Sequence, residues 1–534
     1  MSNRFGTPIL PDSHSSENGE TVVDIFKKII TAMSVENGNN RLWWYTWLAS
    51  RDRFNAALLR NLSVVAATGR VEEKIKTNGK FVIARRLIGE ALWFARWWRS
   101  ENKNRIPAEA DVIVVTQLSK ASFEDGRYRD IYFGNLAHFL SDNGEKVVVC
   151  GSIQGDPSSI FAERNKADIE KAQTVISFGS FLRLTDILPA LWSTMFNGIR
   201  CIDIPLPWGG STQNYISDDI KNARPHIFHG LMIERATTRL LCHYPWARII
   251  HMYENNPWEH AVNLQASRAG RETVGFLHCA VLPSHLKNYI AKEELNLRPS
   301  PDRIICTGTA ARDVFLSLGA HDPKRVISGC DLREARPIAR NPRTQVRGEV
   351  KSVLVILEGL PNMVMLLKFL DAAAQSIQGV KFSVREHPAL PLSDLKDKAE
   401  ILLYPNGPLI ENKEPELLDA MEAADVVIYQ GTTAAMTAVF LGIPVIKFEC
   451  EGPLQDDPLF QSPHLKRTAQ TLSELQNALD EFSSLDQDAY VQEKEAARVY
   501  VEQYLASPTS ESMSVFLSKK NTNKKSSDYG TVRC

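Results

Sequence analysis

The first segment that could do chemistry is Gln430-Gly431-Thr432-Thr433, which follows the apolar run DVVIY and precedes the helical pattern TAAMTAVFLG. The first turn of a helix presents unpaired N–H groups and the positive end of the helix dipole. Small hydroxyl side chains at that point leave room for a phosphate. Gly431, Thr432 and Thr433 are therefore candidates for phosphate binding, and ordinary helix capping by a threonine is the alternative.

Two further segments place polar side chains after predicted strands. His387-Pro388 follows the strand KFSVRE, where a histidine can hydrogen-bond or neutralise a phosphate and a proline fixes the turn. Glu358-Gly359 ends the strand VLVIL; its glycine allows a close backbone approach, and its carboxylate can accept from a ribose or a base. A structural histidine and a solvated turn carboxylate are the alternatives.

Glu254 ends the predicted strand RIIHMY and is the first candidate for a general base. A group transfer to a hydroxyl needs a base that removes the hydroxyl proton. Glu259 and His278 are the other candidates, and a local cap or ion pair is the alternative for Glu254. The pair Asp456-Asp457 in GPLQDDP is typical of a turn, so we predict no metal site and no cofactor.

These side chains need strands to position them, and the chain is rich in short apolar runs separated by helical patterns. Such runs are typical of buried parallel strands. We predict an α/β protein with two Rossmann-like, doubly wound domains facing a cleft, because open α/β sheets bind ligands at the carboxyl ends of their strands. The predicted strands are 111–117, 146–152, 248–254, 273–279, 303–308, 325–329, 353–359, 381–388, 400–405, 425–431 and 444–449.

The same patterns give domain boundaries, because polar, proline-containing stretches separate the periodic ones. Residues 331–350 contain several arginines and prolines and are predicted to be a linker. The full prediction is a disordered tail at 1–20, a helical region at 21–106, an acceptor domain at 107–330, the linker, a nucleotide-sugar domain at 351–480, terminal helices at 481–515 and a disordered tail at 516–534.

The order strand–EG, strand–HP and strand–GTT–helix–GIPVI resembles the donor half of bacterial GT-B glycosyltransferases. It is most similar to those that use CMP-activated acidic sugars, the sialyl-, polysialyl- and Kdo transferases. In those families the histidine of the HP motif and a Ser/Thr pair bind the nucleotide phosphate, which implies these roles for His387, Thr432 and Thr433. CDP-glycerol glycerophosphotransferases share a similar HP element, so the donor stays open.

The resemblance extends over about residues 240–460. TVGFLHCAVLP and MYENNPWEHAV are similar to segments of surface-carbohydrate transferases, although His278 is followed by Cys279 rather than glycine. The resemblance implies an inverting, metal-independent transfer of a sugar from a nucleotide donor to a glycan, lipid-linked or protein acceptor. The alternatives are a UDP- or GDP-sugar or CDP-glycerol transferase, a non-hydrolysing sugar-nucleotide epimerase, and a non-catalytic scaffold of polysaccharide assembly.

Composition limits the other possibilities. The formal net charge of the 534-residue chain is −1, so we expect no nucleic-acid partner. The eight cysteines are scattered, which predicts buried free thiols in a reducing compartment. The first residues lack the apolar core of a signal peptide and no run is long enough to span a membrane, so we expect a cytoplasmic protein.

The region 41–100 contains six tryptophans among many arginines. One interpretation places these tryptophans in the core, packed on the sheet. The other is an amphipathic surface at the inner face of the cytoplasmic membrane, where a lipid-linked acceptor would be found.

Overall fold

The computed structural model describes residues 21–52, 57–59, 61–63, 80–101, 106–167, 174–207, 211–333, 342–345, 348–360, 362–388, 390–401, 403, 407–449 and 456–518. The chain forms two compact units. The N-terminal unit holds the described residues up to 333 together with 506–518, and the C-terminal unit holds those from 342 to 505. The tail predicted at 1–20 and much of the predicted linker lie outside the described residues.

Helices surround both sheets. Those of the N-terminal unit are α1 (Val22–Asn37), α2 (Lys80–Ser100), α3 (Leu136–Asp142), α4 (Pro157–Lys166), α5 (Ile187–Met195), α6 (Gln213–Asn222), α7 (Arg224–His243), α8 (Pro257–Arg268) and α9 (Thr309–Ser317). Those of the C-terminal unit are α10 (Met363–Ser376), α11 (Leu392–Ala399), α12 (Leu417–Ala423), α13 (Ala434–Phe440), α14 (Leu472–Ser484) and α15 (Gln487–Tyr504). A short α16 (Ser510–Met513) follows in the N-terminal unit.

The sheet of the N-terminal unit is parallel throughout and has the order β3-β2-β1-β4-β5-β6-β7. Its central strands are buried on both faces, which explains their continuous apolar sequences. The chain reverses its direction of winding between β1 and β4. The strands are β1 (Val112–Leu118), β2 (Val147–Ile153), β3 (Thr174–Ser177), β4 (Arg248–Met252), β5 (Thr273–Leu277), β6 (Arg303–Cys306) and β7 (Val326–Ser328).

The sheet of the C-terminal unit is also parallel, with the order β10-β9-β8-β11-β12-β13. Its winding reverses between β8 and β11, and its core is built from both sheet and helices. The strands are β8 (Ser352–Ile356), β9 (Lys381–Arg385), β10 (Leu409–Glu411), β11 (Val426–Tyr429), β12 (Val445–Phe448) and β13 (Lys466–Ala469).

These two sheets confirm the predicted doubly wound α/β class. The sequence patterns missed β3, β10 and β13, and all three are edge strands. β10 and β13 are partly exposed, and β3, although mostly buried, has only two consecutive apolar residues, so none of the three carries the long apolar run that marks a central strand. The strand predicted at 400–405 is wrong for its described residues, since Glu400 adopts a left-handed conformation that ends α11 and Ile401 is outside any strand.

The tryptophan-rich region contributes three tryptophans to the core. Trp43, Trp44 and Trp97 are almost fully buried. Their indole N–H groups donate to the Ser34 hydroxyl, the Gly38 carbonyl and the Ser177 hydroxyl at 3.2, 3.0 and 2.8 Å. Buried tryptophan normally has such a partner. These three side chains are therefore core residues and cannot form part of an exposed surface.

Five of the described cysteines are free thiols, as predicted: Cys150, Cys201, Cys279, Cys306 and Cys330. Cys242 departs from that prediction because it is disulfide-bonded. Among the helices of the described residues, none is both long enough and apolar enough to cross a membrane.

Candidate functional site

The carboxyl edge of the C-terminal sheet brings several of the predicted nucleotide-binding residues together. Glu358 and Gly359 follow β8, and Gly431 follows β11, the strand paired with β8. This is the point where the winding of the sheet reverses, and open α/β sheets bind ligands in the crevice at such points.

Gly431 has little room for a side chain. A Cβ atom added there would lie 2.8 Å from the Asp456 carbonyl oxygen and 2.9 Å from Glu358 Oε1. The structure thus places Glu358 and Asp456 directly against this glycine. Asp457 has a structural role, since it accepts hydrogen bonds from Tyr429 at 2.7 Å and Lys466 at 2.9 Å.

The two threonines begin helix α13. The Thr432 hydroxyl accepts from the Ala434 N–H at 3.3 Å, and the Thr433 side chain makes no capping hydrogen bond. Both threonines are partly exposed at the edge of the sheet. The capping interpretation therefore fits Thr432 and leaves the Thr433 hydroxyl out of the cap.

His387 and Pro388 lie one strand away, after β9. The turn is held by a hydrogen bond from the Leu390 N–H to the His387 carbonyl at 2.9 Å and by one from the Leu392 N–H to Glu386 at 2.8 Å. His387 is half-buried and Pro388 is exposed. Burial lowers the pKa of His387, which favours the neutral, hydrogen-bonding form of its imidazole.

Two buried acceptors at this edge lack a hydrogen-bond partner. They are the side-chain oxygen of Gln430, directly after β11, and that of Asn362, at the start of α10. A buried polar atom without a partner destabilises the protein by about 1–3 kcal/mol. A ligand that donates N–H or O–H groups would remove this cost, and the hydroxyl groups of a ribose and the amino groups of a base are such donors.

In the N-terminal unit, a tight turn after β4 presents Glu254. Asn255 has a φ of 63°, and its side-chain oxygen accepts from Arg298 at 2.9 Å. Pro257 then opens α8 at its first turn, where proline suits a helix. The segment YENNPWE therefore folds as a strand end, a left-handed residue and a helix start, and this arrangement leaves the Glu254 carboxylate about one-third exposed.

Glu254 is ionised. Burial alone would raise its pKa, but the charges of His278 and Lys287 and hydrogen bonds from Cys279 and Asn256 lower the pKa to about 2. Its Oε1 atom lies 3.4 Å from His278 Nε2, and the Cys279 thiol donates to it at 3.2 Å. The Glu254 side chain is thus a partly exposed acidic group at the carboxyl end of β4.

Glu259 lies in the first turn of helix α8. It is fully buried, and its carboxylate accepts from the backbone N–H groups of Glu254 and Asn256 at 2.9 and 3.1 Å. Burial and the neighbouring Glu254 charge raise the pKa of Glu259 to about 8. Its position is that of a helix cap, without access to a substrate.

His278 directly follows β5 and is 4% exposed. Burial lowers the pKa of His278, although the Glu254 charge acts the other way. Its Nδ1 atom is buried without a hydrogen-bond partner, and the ring lies edge-on to Tyr132 at 4.9 Å. The structure thus places His278 directly behind Glu254, where it orients the carboxylate.

Glu254, His278 and Cys279 also form a possible set of metal ligands, since one ligand atom from each lies within 4.8 Å of the others. The electrostatics oppose a cation there. Burial raises the pKa of the Cys279 thiol, which keeps it protonated, and Lys287 and Arg333 add positive charge nearby. A metal would have to displace a proton and overcome these charges.

Sequence reasoning missed several residues of this edge. Lys287 donates to Asn256 at 3.1 Å and pairs with Asp52 at 2.9 Å, and the Tyr132 hydroxyl donates to Gln117 at 3.3 Å. The lysine belongs to a loop without periodicity. No local pattern marks such a residue, because only the fold brings it to Glu254.

No family model matches this chain, and no curated protein matches it. Solved structures with a similar fold include the glycotransferase of kitacinnamycin. It is 13% identical, the match covers 77% of this chain and 100% of that chain, and the TM-score is 0.43. TarM has 10% identity over 76% of this chain and 97% of its own, with a TM-score of 0.42. UDP-GlcNAc 2-epimerase from Neisseria meningitidis is 13% identical over 74% of this chain and 99% of its own, with a TM-score of 0.40. Similarity at this level leaves the activity to be argued from the residues themselves.

Proposed function

We propose that this protein is a glycosyltransferase that uses a nucleotide-activated sugar. The observation that carries the proposal is the set of residues at the point where the C-terminal sheet reverses its winding. There Gly431 has little room for a side chain, Glu358 lies against it, and the Gln430 side-chain oxygen is buried without a partner. A nucleotide fits these requirements, because its ribose and base supply donors and the threonines can contact its phosphate.

In this proposal the two units have different tasks. The C-terminal unit binds the nucleotide through Glu358, Gly359, His387, Pro388, Gly431, Thr432 and Thr433. In the N-terminal unit, Glu254 takes the proton of the acceptor hydroxyl, and the buried His278 and the Glu259 cap hold the turn in place. Neutral hydrogen-bond donors and the helix start stabilise the leaving phosphate, so the reaction needs no metal.

The donor we propose is a CMP-activated sugar such as a nonulosonic acid or Kdo, because the HP and GTT segments resemble those of CMP-sugar transferases. The acceptor is a surface glycan, a lipid-linked intermediate or a protein. A transferase that uses a UDP- or GDP-sugar or CDP-glycerol is the second candidate, since CDP-glycerol transferases share a similar HP element and the strand-end residues do not contact a base of known identity.

Thermal melting with CMP, CDP, UDP and GDP tests the proposal. A ligand that binds only the folded state raises the midpoint, and saturation at about 100 times its Kd adds about 2.7 kcal/mol. We expect CMP or CDP to give the largest shift. A shift with UDP or GDP alone would replace the CMP-sugar by another donor, and no shift with any nucleotide would overturn the proposal.

A further inference from the structure

Helix α5 and the residues beside it direct large apolar side chains into solvent. Leu184, Leu188 and Trp192 follow one another at intervals of four residues, and Met195 and Phe196 continue the row. Their exposed fractions are 44, 77, 69, 47 and 68%. Residues three and four apart share one face of a helix, so these five side chains form a single surface, which we call the α5 stripe.

The opposite face of α5 is firmly held. Ala190 and Thr194 are buried on this face. At the start of the helix, the buried Asp186 accepts two hydrogen bonds from Arg239, at 2.6 and 2.7 Å. The stripe is therefore a fixed feature of the surface. Trp192 and Phe196 also lie together on it, with ring centroids 4.6 Å apart.

The charges around the stripe are mostly positive. The sequence ILPALWSTM of α5 contains no charged residue, and the exposed Arg183 and Arg200 lie on either side of the stripe. Arg235 is one-third exposed and adds a third cation next to Asp186. The acidic groups in contact with these arginines are the buried Asp186 and Glu36, which pairs with Arg200 at 3.0 Å.

We propose that the α5 stripe binds the surface of a lipid bilayer that contains anionic lipids. Tryptophan and leucine enter the boundary between headgroups and acyl chains, where an uncharged helix face can be buried. Arginines beside the buried face reach anionic headgroups, each contributing about 1 kcal/mol. Exposed apolar surfaces of this kind mark protein or membrane contacts, and the cationic surroundings favour the anionic membrane. This inference does not depend on the proposed catalytic activity.

Flotation with phosphatidylcholine vesicles, prepared with and without phosphatidylglycerol, tests this inference on the full chain. The wild-type protein should float with the anionic vesicles and dissociate as salt is added. The double variant Leu188→Ser/Trp192→Ser should partition at least about tenfold more weakly, because burying one large apolar side chain already accounts for such a factor. Arg183→Gln/Arg200→Gln should lose the preference for anionic lipid.

Trp246→Ser is the matched control. Trp246 is also 70% exposed, but it lies outside the stripe beneath the Arg271 guanidinium, and its loss should leave vesicle binding unchanged. Thermal melting of each variant reports whether it is folded. Wild-type protein that stays unbound to anionic vesicles would overturn the proposal, as would equal binding by the Leu188/Trp192 variant. A dimer that this variant dissociates, without vesicle binding, would assign the stripe to a second copy instead.

Discussion

At the scale of single residues, Glu254 is the side chain whose environment is most unusual for a carboxylate that is one-third exposed. With a pKa of about 2 it is ionised throughout the ordinary range of assay conditions. A fall in activity on the acid side of a pH profile would therefore report another group. The hydrogen bond from Asn256 at 3.2 Å and the neighbouring His278 fix its direction.

Replacing Glu254 by glutamine should reduce turnover by about 10²–10⁴-fold, because the variant keeps the shape but cannot accept the proton. Nucleotide affinity should stay near the wild-type value. Steady-state kinetics and nucleotide titration measure the two effects. Glu163→Gln, at a partly exposed position of α4 where the carboxylate pairs with Lys166, is the control. Undiminished turnover would exclude Glu254 as the base, and a loss of nucleotide affinity would contradict the assignment of the nucleotide to the C-terminal unit.

His387→Ala and Thr432→Ala/Thr433→Ala should each weaken nucleotide binding by about tenfold or more, as expected for the loss of hydrogen bonds to a charged group. All three side chains are at least partly exposed, so the thermal midpoint without nucleotide should change little. Calorimetric titration provides the measurement. His464→Ala and Ser473→Ala, two exposed positions of the same unit, are the matched controls. Unchanged affinity in both test variants would remove these residues from the site.

At the scale of elements, alanine substitutions at two glycines should change stability in opposite directions. Gly431→Ala should destabilise the C-terminal unit and weaken nucleotide binding, because the new methyl group would lie 2.8 Å from backbone and side-chain atoms of Asp456. Overpacking of this kind costs about 1–3 kcal/mol. Gly89→Ala, in the middle of α2 with no atom within 4 Å of the new methyl group, should stabilise by about 0.5–1 kcal/mol.

Chemical denaturation of both variants measures these changes. Equal changes in the free energy of unfolding for the two variants would show that the lack of space around Gly431 is not what requires a glycine there. A Gly431→Ala protein with wild-type stability and wild-type nucleotide affinity would contradict the close packing of Glu358 and Asp456 against this glycine.

At the scale of the whole molecule, Glu259 makes stability depend on pH. Its pKa is about 8 in the folded protein and 4.5 in its unperturbed state. Between these values the unfolded chain releases the proton while the folded chain keeps it, so the free energy of unfolding falls as pH rises. The buried histidines have lowered pKa values, so they change the free energy of unfolding mainly below pH 7. Glu254 changes it only below about pH 4.5. Just above pH 7 these histidines still contribute with the opposite sign, and the buried cysteine thiols contribute as pH rises further. Only the difference in pH dependence between the wild type and Glu259→Gln therefore isolates Glu259.

Denaturant unfolding at pH 7 and pH 8 should show that the wild type loses about 1 kcal/mol more than Glu259→Gln over this interval, since one group contributes at most about 1.4 kcal/mol per pH unit. Glu259→Gln should reduce this dependence, whatever its absolute stability, and Glu163→Gln should retain it. The same pH dependence in the wild type and in Glu259→Gln would show that Glu259 is ionised in the folded state.

The sequence by itself determined the α/β class and most central strands, because strands buried on both faces need continuous apolar runs such as VIVVTQL and VVIY. It also determined that Glu254, His278, Glu358 and Gly431 lie where strands end. The short edge strands β3, β10 and β13 carry no such run, so they were decided by pairing with their neighbours.

Only the tertiary structure decided which of these groups are exposed and which are charged. It buried Glu259 as a helix cap, left Glu254 partly accessible and brought Lys287 to it from a loop without periodicity. It also buried Trp43, Trp44 and Trp97 while turning Trp192 outward. Local spacing fixes which residues share a face of a helix or strand. Burial, and with it the pKa of a side chain, depends on packing between segments that are far apart in the chain.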